Sequence, residues 1–272
     1  MSHYYHEVTR PCTDMLEKDF EFTNRVKLHT HWNGMIYSLS REMSLLGLRG
    51  ITFGSSFTHN GMQIDDFKIG SSGKISGTAS FQQNGMNVKV IADNLSKVER
   101  IPNFEVEYKN GSVAGTAHVN LGNNSVQGSV VTGYGPYLLG AKGSMRTLGS
   151  SFKAHTVLMS YNAGGLTIVG ESDAFSVKRM KLYLFNDAFS AIVDYDKSIT
   201  LGTTSSQGGG LLKTRITGDG QIQAAYVTSA MANVRLQLAA NVSLKTCSLS
   251  GVGVGLTIGD DGKGDNKSGS LW

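Results

Sequence analysis

Seven histidines, His3, His6, His29, His31, His59, His118 and His155, are the side chains best suited to metal or proton chemistry. His29 and His31 are two apart, so a strand would place both on one face, with His3 and His6 near in sequence. No carboxylate or cysteine stands at ligand spacing around them, and they read as polar side chains, not a metal site. Ser205, Ser206 and Gln207 lead into Gly208–Gly210. That composition suits a phosphate loop, but the Gly-Lys-Ser/Thr ending is missing, so the segment reads as a turn. Cys12 and Cys247 are too few for a disulfide scaffold or a zinc site and read as free thiols. No nucleophile is paired with a base, so no enzyme and no cofactor is expected. The chemistry that remains is electrostatic. Lys27, Lys89, Arg235 and Lys245 fall on the polar phase of alternating segments, where cations lining a low-dielectric wall would attract anions.

The elements that must position these groups are strands. Of 272 residues, 34 are glycine and 3 are proline. High glycine with little proline excludes a disordered or collagen-like chain and suits strands, whose interiors reject proline. The net charge of +4 is too small to indicate nucleic acid. No apolar run approaches the ~18 residues of a spanning helix, and the N-terminus lacks the basic flank and apolar core of a secretory signal. From Arg25 onward, segments alternate between faces. Val26, Leu28, Thr30 and Trp32 oppose Arg25, Lys27, His29 and His31; Met86, Val88, Val90 and Ala92 oppose Asn87, Lys89, Ile91 and Asp93. Phe189, Ala191, Val193 and Tyr195 oppose Ser190, Ile192 and Asp194; Val252, Val254, Leu256 and Ile258 oppose Gly251, Gly253, Gly255 and Thr257. Asn60-Gly61, Asn84-Gly85, Asn110-Gly111 and Asp219-Gly220 carry hairpin-turn chemistry.

About nineteen such segments lie between Arg25 and Ile258. Before them, Tyr4, Tyr5, Val8, Cys12, Met15, Leu16 and Phe20 recur at helical spacing. Pro11 suits a first helical turn or a break between two short turns. Three regions follow: residues 1–24 as a short amphipathic helical segment, 25–258 as one β domain, and 259–272 as a polar, glycine-rich tail. A sandwich and a membrane barrel both alternate. The barrel is favoured because one whole face of a very long meander is wet and carries small or charged residues where a packed core needs bulk. Closure also removes the exposed edges of such a meander. The expected fold is all-β: a transmembrane β-barrel of about nineteen strands with a short N-terminal amphipathic helix.

The N-terminal motif Tyr5-His6-Glu7-Val8, then Asp14-Met15-Leu16-Glu17-Lys18-Asp19-Phe20 and the first strand, resembles the start of the mitochondrial porins, the voltage-dependent anion channels. Tyr134–Gly143 and Ser160–Gly165 resemble that family's central hairpins, and Asn241–Ile258 its last two strands. The family has nineteen strands, with which the segment count agrees. Leu249 stands where the family's terminal signal usually has a polar residue, and a polar tail follows where typical members stop.

The resemblance implies a diffusion channel of the mitochondrial outer membrane for metabolite anions and adenine nucleotides, bathed in membrane lipid. It also implies that the N-terminal helix folds into the lumen as a gate, with Asp14 and Lys18 at the helix positions near which the family meets nucleotides. The family's lipid-facing acid has no confident counterpart; Asp65 and Asp66 lie nearby and suit a turn equally well. The alternatives are the protein-translocase pore of the same membrane, the sister family, and a non-conducting barrel built into a larger membrane complex. A homo-oligomer is compatible with each.

Overall fold

The computed structural model describes residues 3–44, 47–59, 61–93, 103–122, 124–146, 152–173, 176–194 and 199–259. A helix, α1 (Tyr5–Glu17), precedes nineteen strands. The first nine are β1 (Asn24–Trp32), β2 (Met35–Ser44), β3 (Gly47–His59), β4 (Met62–Gly70), β5 (Ile75–Gln83), β6 (Met86–Asp93), β7 (Asn103–Asn110), β8 (Val113–Asn120) and β9 (Ser125–Tyr134). The rest are β10 (Tyr137–Arg146), β11 (Phe152–Ala163), β12 (Leu166–Asp173), β13 (Ser176–Phe185), β14 (Phe189–Asp194), β15 (Thr200–Gln207), β16 (Gly210–Thr217), β17 (Gln221–Met231), β18 (Val234–Ser243) and β19 (Ser248–Ile258). Each strand pairs antiparallel with the next, and the ring closes where β1 pairs with β19 in parallel, Arg25 opposite Gly255 to Leu28 opposite Ile258. Parallel closure follows from the odd number: an up-and-down meander of nineteen strands ends running the same way as it begins. At the seam the Asn24 side chain adds a bond, its Oδ1 accepting the Val254 N–H at 3.1 Å.

The register carries one face continuously around the ring. Val26, Leu39, Phe53, Val90, Leu139, Met159, Ile216, Leu238 and Val254 fall on the outer side. Most of these side chains are exposed; Met159 shows 58% of its surface. A large aliphatic side chain left in water forgoes roughly 1.5–3 kcal/mol, so an outer belt built this way needs hydrocarbon around it. Trp32, Tyr37, Tyr108, Tyr134, Tyr137 and Tyr161 gather on the belt near one rim, as amphipathic rings do at a membrane surface. That rim holds the odd-to-even connections, all of two or three residues. Asn33-Gly34, Asn84-Gly85, Gly164-Gly165 and Gly208-Gly209 have positive φ at both positions, the type I′ geometry that suits a tight hairpin. The expected turn at Asn110-Gly111 is shifted by one residue, since Asn110 still belongs to β7. The opposite rim carries connections of two to nine residues, Asp219-Gly220 among them, and receives the N-terminal segment.

The inner face is mainly polar, with single apolar positions such as Ile36, Ile91 and Leu211, a small cluster of Phe20 and Phe22 on Ala225 and Ala239, and one larger apolar seat. Leu138, Val131, Leu158, Val169, Tyr183, Phe185 and Ile192 break the alternation on β9 to β14, and α1 lies on them. Its contact stripe, Tyr5, Val8, Cys12 and Leu16, recurs every three or four residues and is buried. Pro11 is neither a first-turn residue nor a break; it sits within one continuous helix. The intrahelical bond it removes is offset by packing of its neighbours Val8 and Cys12 on the wall. The helix ends at Glu17, short of Phe20, and Asp19 turns the chain with φ +77°. Glycine makes room for this segment. A Cβ on Gly202 would meet the Leu16 side chain, and one on Gly253 would meet the backbone of Glu21 and Phe22. Asp65 and Asp66 lie within β4 and not in a turn; their side chains, with those of His59 and His155, fall outside those described. So do Tyr195 and residues 260–272 of the tail.

Gly202→Val should therefore displace α1 without opening the barrel. Overpacking of this kind costs about 1–3 kcal/mol, enough to speed maleimide labelling of the fully buried Cys12 about tenfold or more. Labelling at the wild-type rate would show that the helix does not depend on this contact.

Candidate functional site

The inner wall is organised by charge at three places. The first is the C-terminal end of α1. The last carbonyls of a helix are short of partners within it, and β16 supplies cations to them while β18 supplies one to the Asp19 carboxylate. Lys213 Nζ lies 2.9 Å from Asp19 Oδ2 and 3.4 Å from the main-chain oxygens of both Asp14 and Lys18. Arg215 donates to the Leu16 carbonyl and lies 4.6 Å over the Phe20 ring. Arg235 reaches Asp19 Oδ1 at 3.2 Å, and Gln237 donates to the Asp19 carbonyl at 2.6 Å. Lys213 and Asp19 are both buried, about 8% and 9% exposed, so each is the other's main counter-charge away from water. Cations here also meet the negative end of the helix dipole.

The second place holds the start of α1. Glu171 on β12 accepts hydrogen bonds from Tyr5 at 2.9 Å and Tyr183 at 3.1 Å. Burial and the facing Glu171 carboxylate raise the Tyr5 phenol well above its ordinary range. Glu7 accepts the Tyr4 N–H at 3.0 Å and lies 3.9 Å from Lys109. Between this first turn and β7 to β10 lies a cavity of about 310 Å³ whose lining includes His6, His118, Lys142, Thr116 and Ser129. The third place is acidic. Lys89 is held by Glu107 at 2.8 Å and Glu105 at 3.2 Å, while Asn87 donates to Glu107 at 2.9 Å.

The cations read from the sequence land in different settings. Lys27 is half-buried on the inner face of β1, across from Ser40 and Thr257. Lys89 faces inward but is matched by two carboxylates. Arg235 faces inward and is tied to Asp19. Lys245 is in the β18–β19 turn, off the wall. Asp14 pairs with Arg10 at 3.4 Å, and the Lys18 side chain is exposed. His29 and His31 share the inner face of β1. Sequence reasoning missed Lys213, Arg215 and Glu171 as site residues. The signal for the first two was available: they stand two apart in LLKTRIT, so one strand face must carry both.

No family model matches the chain, and no curated protein matches it. Among solved structures it is similar to a mutant of the Rh. blastica porin, at 9% identity, with a TM-score of 0.37 and 86% of each chain covered. The architecture is that of a porin-type β-barrel: apolar outside, polar inside and closed.

Two outcomes follow. Asp19→Asn strands Lys213 in a buried position, and breaking one partner of such a pair costs about 3–5 kcal/mol. The helical circular-dichroism signal should melt earlier, and Lys213→Met added to Asp19→Asn should recover much of the loss. An unchanged melt in Asp19→Asn would remove the pair from the helix seat. Burial also pushes the Cys12 thiol up to about 11, so little thiolate exists below that pH. At pH 8 maleimide should label the exposed Cys247 and leave Cys12 unmodified.

Proposed function

We propose that this barrel is a diffusion channel of the mitochondrial outer membrane, passing metabolite anions such as adenine nucleotides, phosphate and carboxylates. The observation that carries the reading is the odd strand number with parallel closure of β1 on β19. Single-chain bacterial outer-membrane barrels have even numbers, whereas the mitochondrial anion channel has nineteen strands. The lumen charge agrees. Among the described wall side chains, Arg25, Lys27, Lys68, Lys89, Lys109, Lys142, Lys181, Lys213, Arg215 and Arg235 face inward, against Glu42, Glu105, Glu107, Glu171, Asp173 and Asp194. Such an excess raises the local concentration of anions in a narrow, low-dielectric passage.

The N-terminal segment works against that excess. Glu7, Asp14, Glu17, Asp19 and Glu21 outnumber Arg10 and Lys18. By lying on the wall, α1 both narrows the passage and neutralises part of its charge. Lys213, Arg215 and Arg235 are engaged in holding it, which leaves the region around Lys27 as the stretch of wall whose charge acts most directly on passing solute.

The test is reconstitution of the purified protein in a planar bilayer under a KCl gradient. Large stepwise openings with an anion-leaning reversal potential are expected, and Lys27→Glu should move that potential toward the cation side. Lys89→Glu should have a larger local effect, because three carboxylates would then stand together. Cation-leaning openings blocked by a basic presequence peptide would replace this reading with a protein-conducting pore. A folded barrel that does not conduct would leave only a structural role.

A further inference from the structure

The seam leaves a notch in the wall. β1 pairs with β19 over Arg25–Leu28 against Gly255–Ile258, and the Asn24 side chain extends the contact to the Val254 N–H. β19 itself begins at Ser248. From Ser248 to Gly253 no described strand flanks it on the β1 side. The chain ahead of β1 has turned into the lumen there, with Glu21 and Phe22 lying against Gly253 and the Phe22 ring against Gly251. What remains is a hollow of about 280 Å³ lined by Asn24, Arg25, Val26, Val254 and Leu256. Val26, Val254 and Leu256 are outward positions, so the hollow opens toward lipid.

A cation stands beside it. Arg41 on β2 is directly opposite Val26, and such pairs lie about 4.5–5.5 Å apart at Cα. Its side chain is exposed, and its outward neighbours are Val26, Leu39 and Ile51. Among the described wall side chains it is the one charge that faces outward. The next residue, Glu42, faces the lumen and accepts from Arg25 at 3.0 Å, so it does not answer Arg41 across the wall.

We propose that this notch binds one acidic phospholipid, its phosphate on Arg41 and the start of an acyl chain against Val26, Val254 and Leu256. Charge complementarity selects the class. A guanidinium takes a phosphate through two parallel hydrogen bonds. A zwitterionic headgroup would also bring an ammonium, and no described outward side chain is acidic to receive it. Cations beside apolar hollows are how membrane proteins hold anionic headgroups. The site is independent of what passes through the lumen.

The test is native mass spectrometry of the full-length protein released from micelles holding equal amounts of phosphatidylglycerol and phosphatidylcholine. One phosphatidylglycerol should be retained in preference. Arg41→Gln should cut that preference about fivefold, the contribution of one cation near a membrane surface, and Arg41→Lys should keep most of it. Val26→Trp fills the hollow and should lower retention with Arg41 in place, while Leu139→Trp, on the outer face of β10, should not. Retention is compared among variants that keep the β-sheet circular-dichroism signal. Equal retention of the two lipids by the unaltered chain would overturn the proposal, as would full preference in Arg41→Gln or equal retention by Val26→Trp and Leu139→Trp. Release of the lipid by excess glycerophosphate would mean that a phosphate alone is bound, and would overturn the lipid assignment.

Discussion

Inside a bilayer every backbone N–H and C=O must find its partner within the protein, and here the last to do so belong to β1 and β19. Eighteen antiparallel pairings follow from neighbours along the chain; the nineteenth is the parallel one between the first strand and the last. All else in the molecule presupposes that seam. Without it both terminal strands would be open edges in hydrocarbon, and the distinction between outer and inner face would have no meaning. The Asn24 side chain bonding to the Val254 N–H shows the seam being extended where the parallel ladder runs out.

Once the ring is closed, the period of two along each strand divides every residue between lipid and lumen. The interesting positions are those that violate the division. On the inner wall, Val131, Leu158, Val169 and Ile192 place apolar side chains where polar ones are the rule, and a helix with a matching stripe covers them. On the outer wall, Thr203 and Ser205 place hydroxyls where aliphatic groups are the rule. The inner departure is local and contiguous, and α1 covers it. The absence of side chains carries information as well. Gly202 and Gly253 leave the volume that Leu16 and the backbone at residues 21–22 occupy.

Much of this was legible in the chain. Alternation over β1, β6 and β19 identified the two faces, Asn84-Gly85 its hairpin, and Tyr5, Val8, Cys12 and Leu16 a helix. What escaped depends on partners distant in sequence. Lys89 looks like a lumen cation in isolation and becomes part of a net-acidic group only when β7 brings Glu105 and Glu107 beside it. Asp19 gains its role from Lys213 and Arg235, about two hundred residues away. Pro11 reads as a break because local propensity cannot register the wall that holds the helix together across it. The glycines of β19 alternate visibly, but the reason at Gly253, a segment of backbone lying across it, is not a local property.

The parallel seam also orders events in time. Its partners are 230 residues apart in sequence, so β1 cannot be capped until β19 exists. The hairpins between have no such delay, since each pairs with a strand only a few residues on. Closing so long a loop is the slowest contact the topology requires. The sheet must therefore persist as an open ribbon with two sticky margins while the rest of the chain arrives. Such a ribbon is prone to zip onto a stranger. The first strand of such a topology is thus the edge that stays exposed longest, and its protection rests on how soon the last strand arrives.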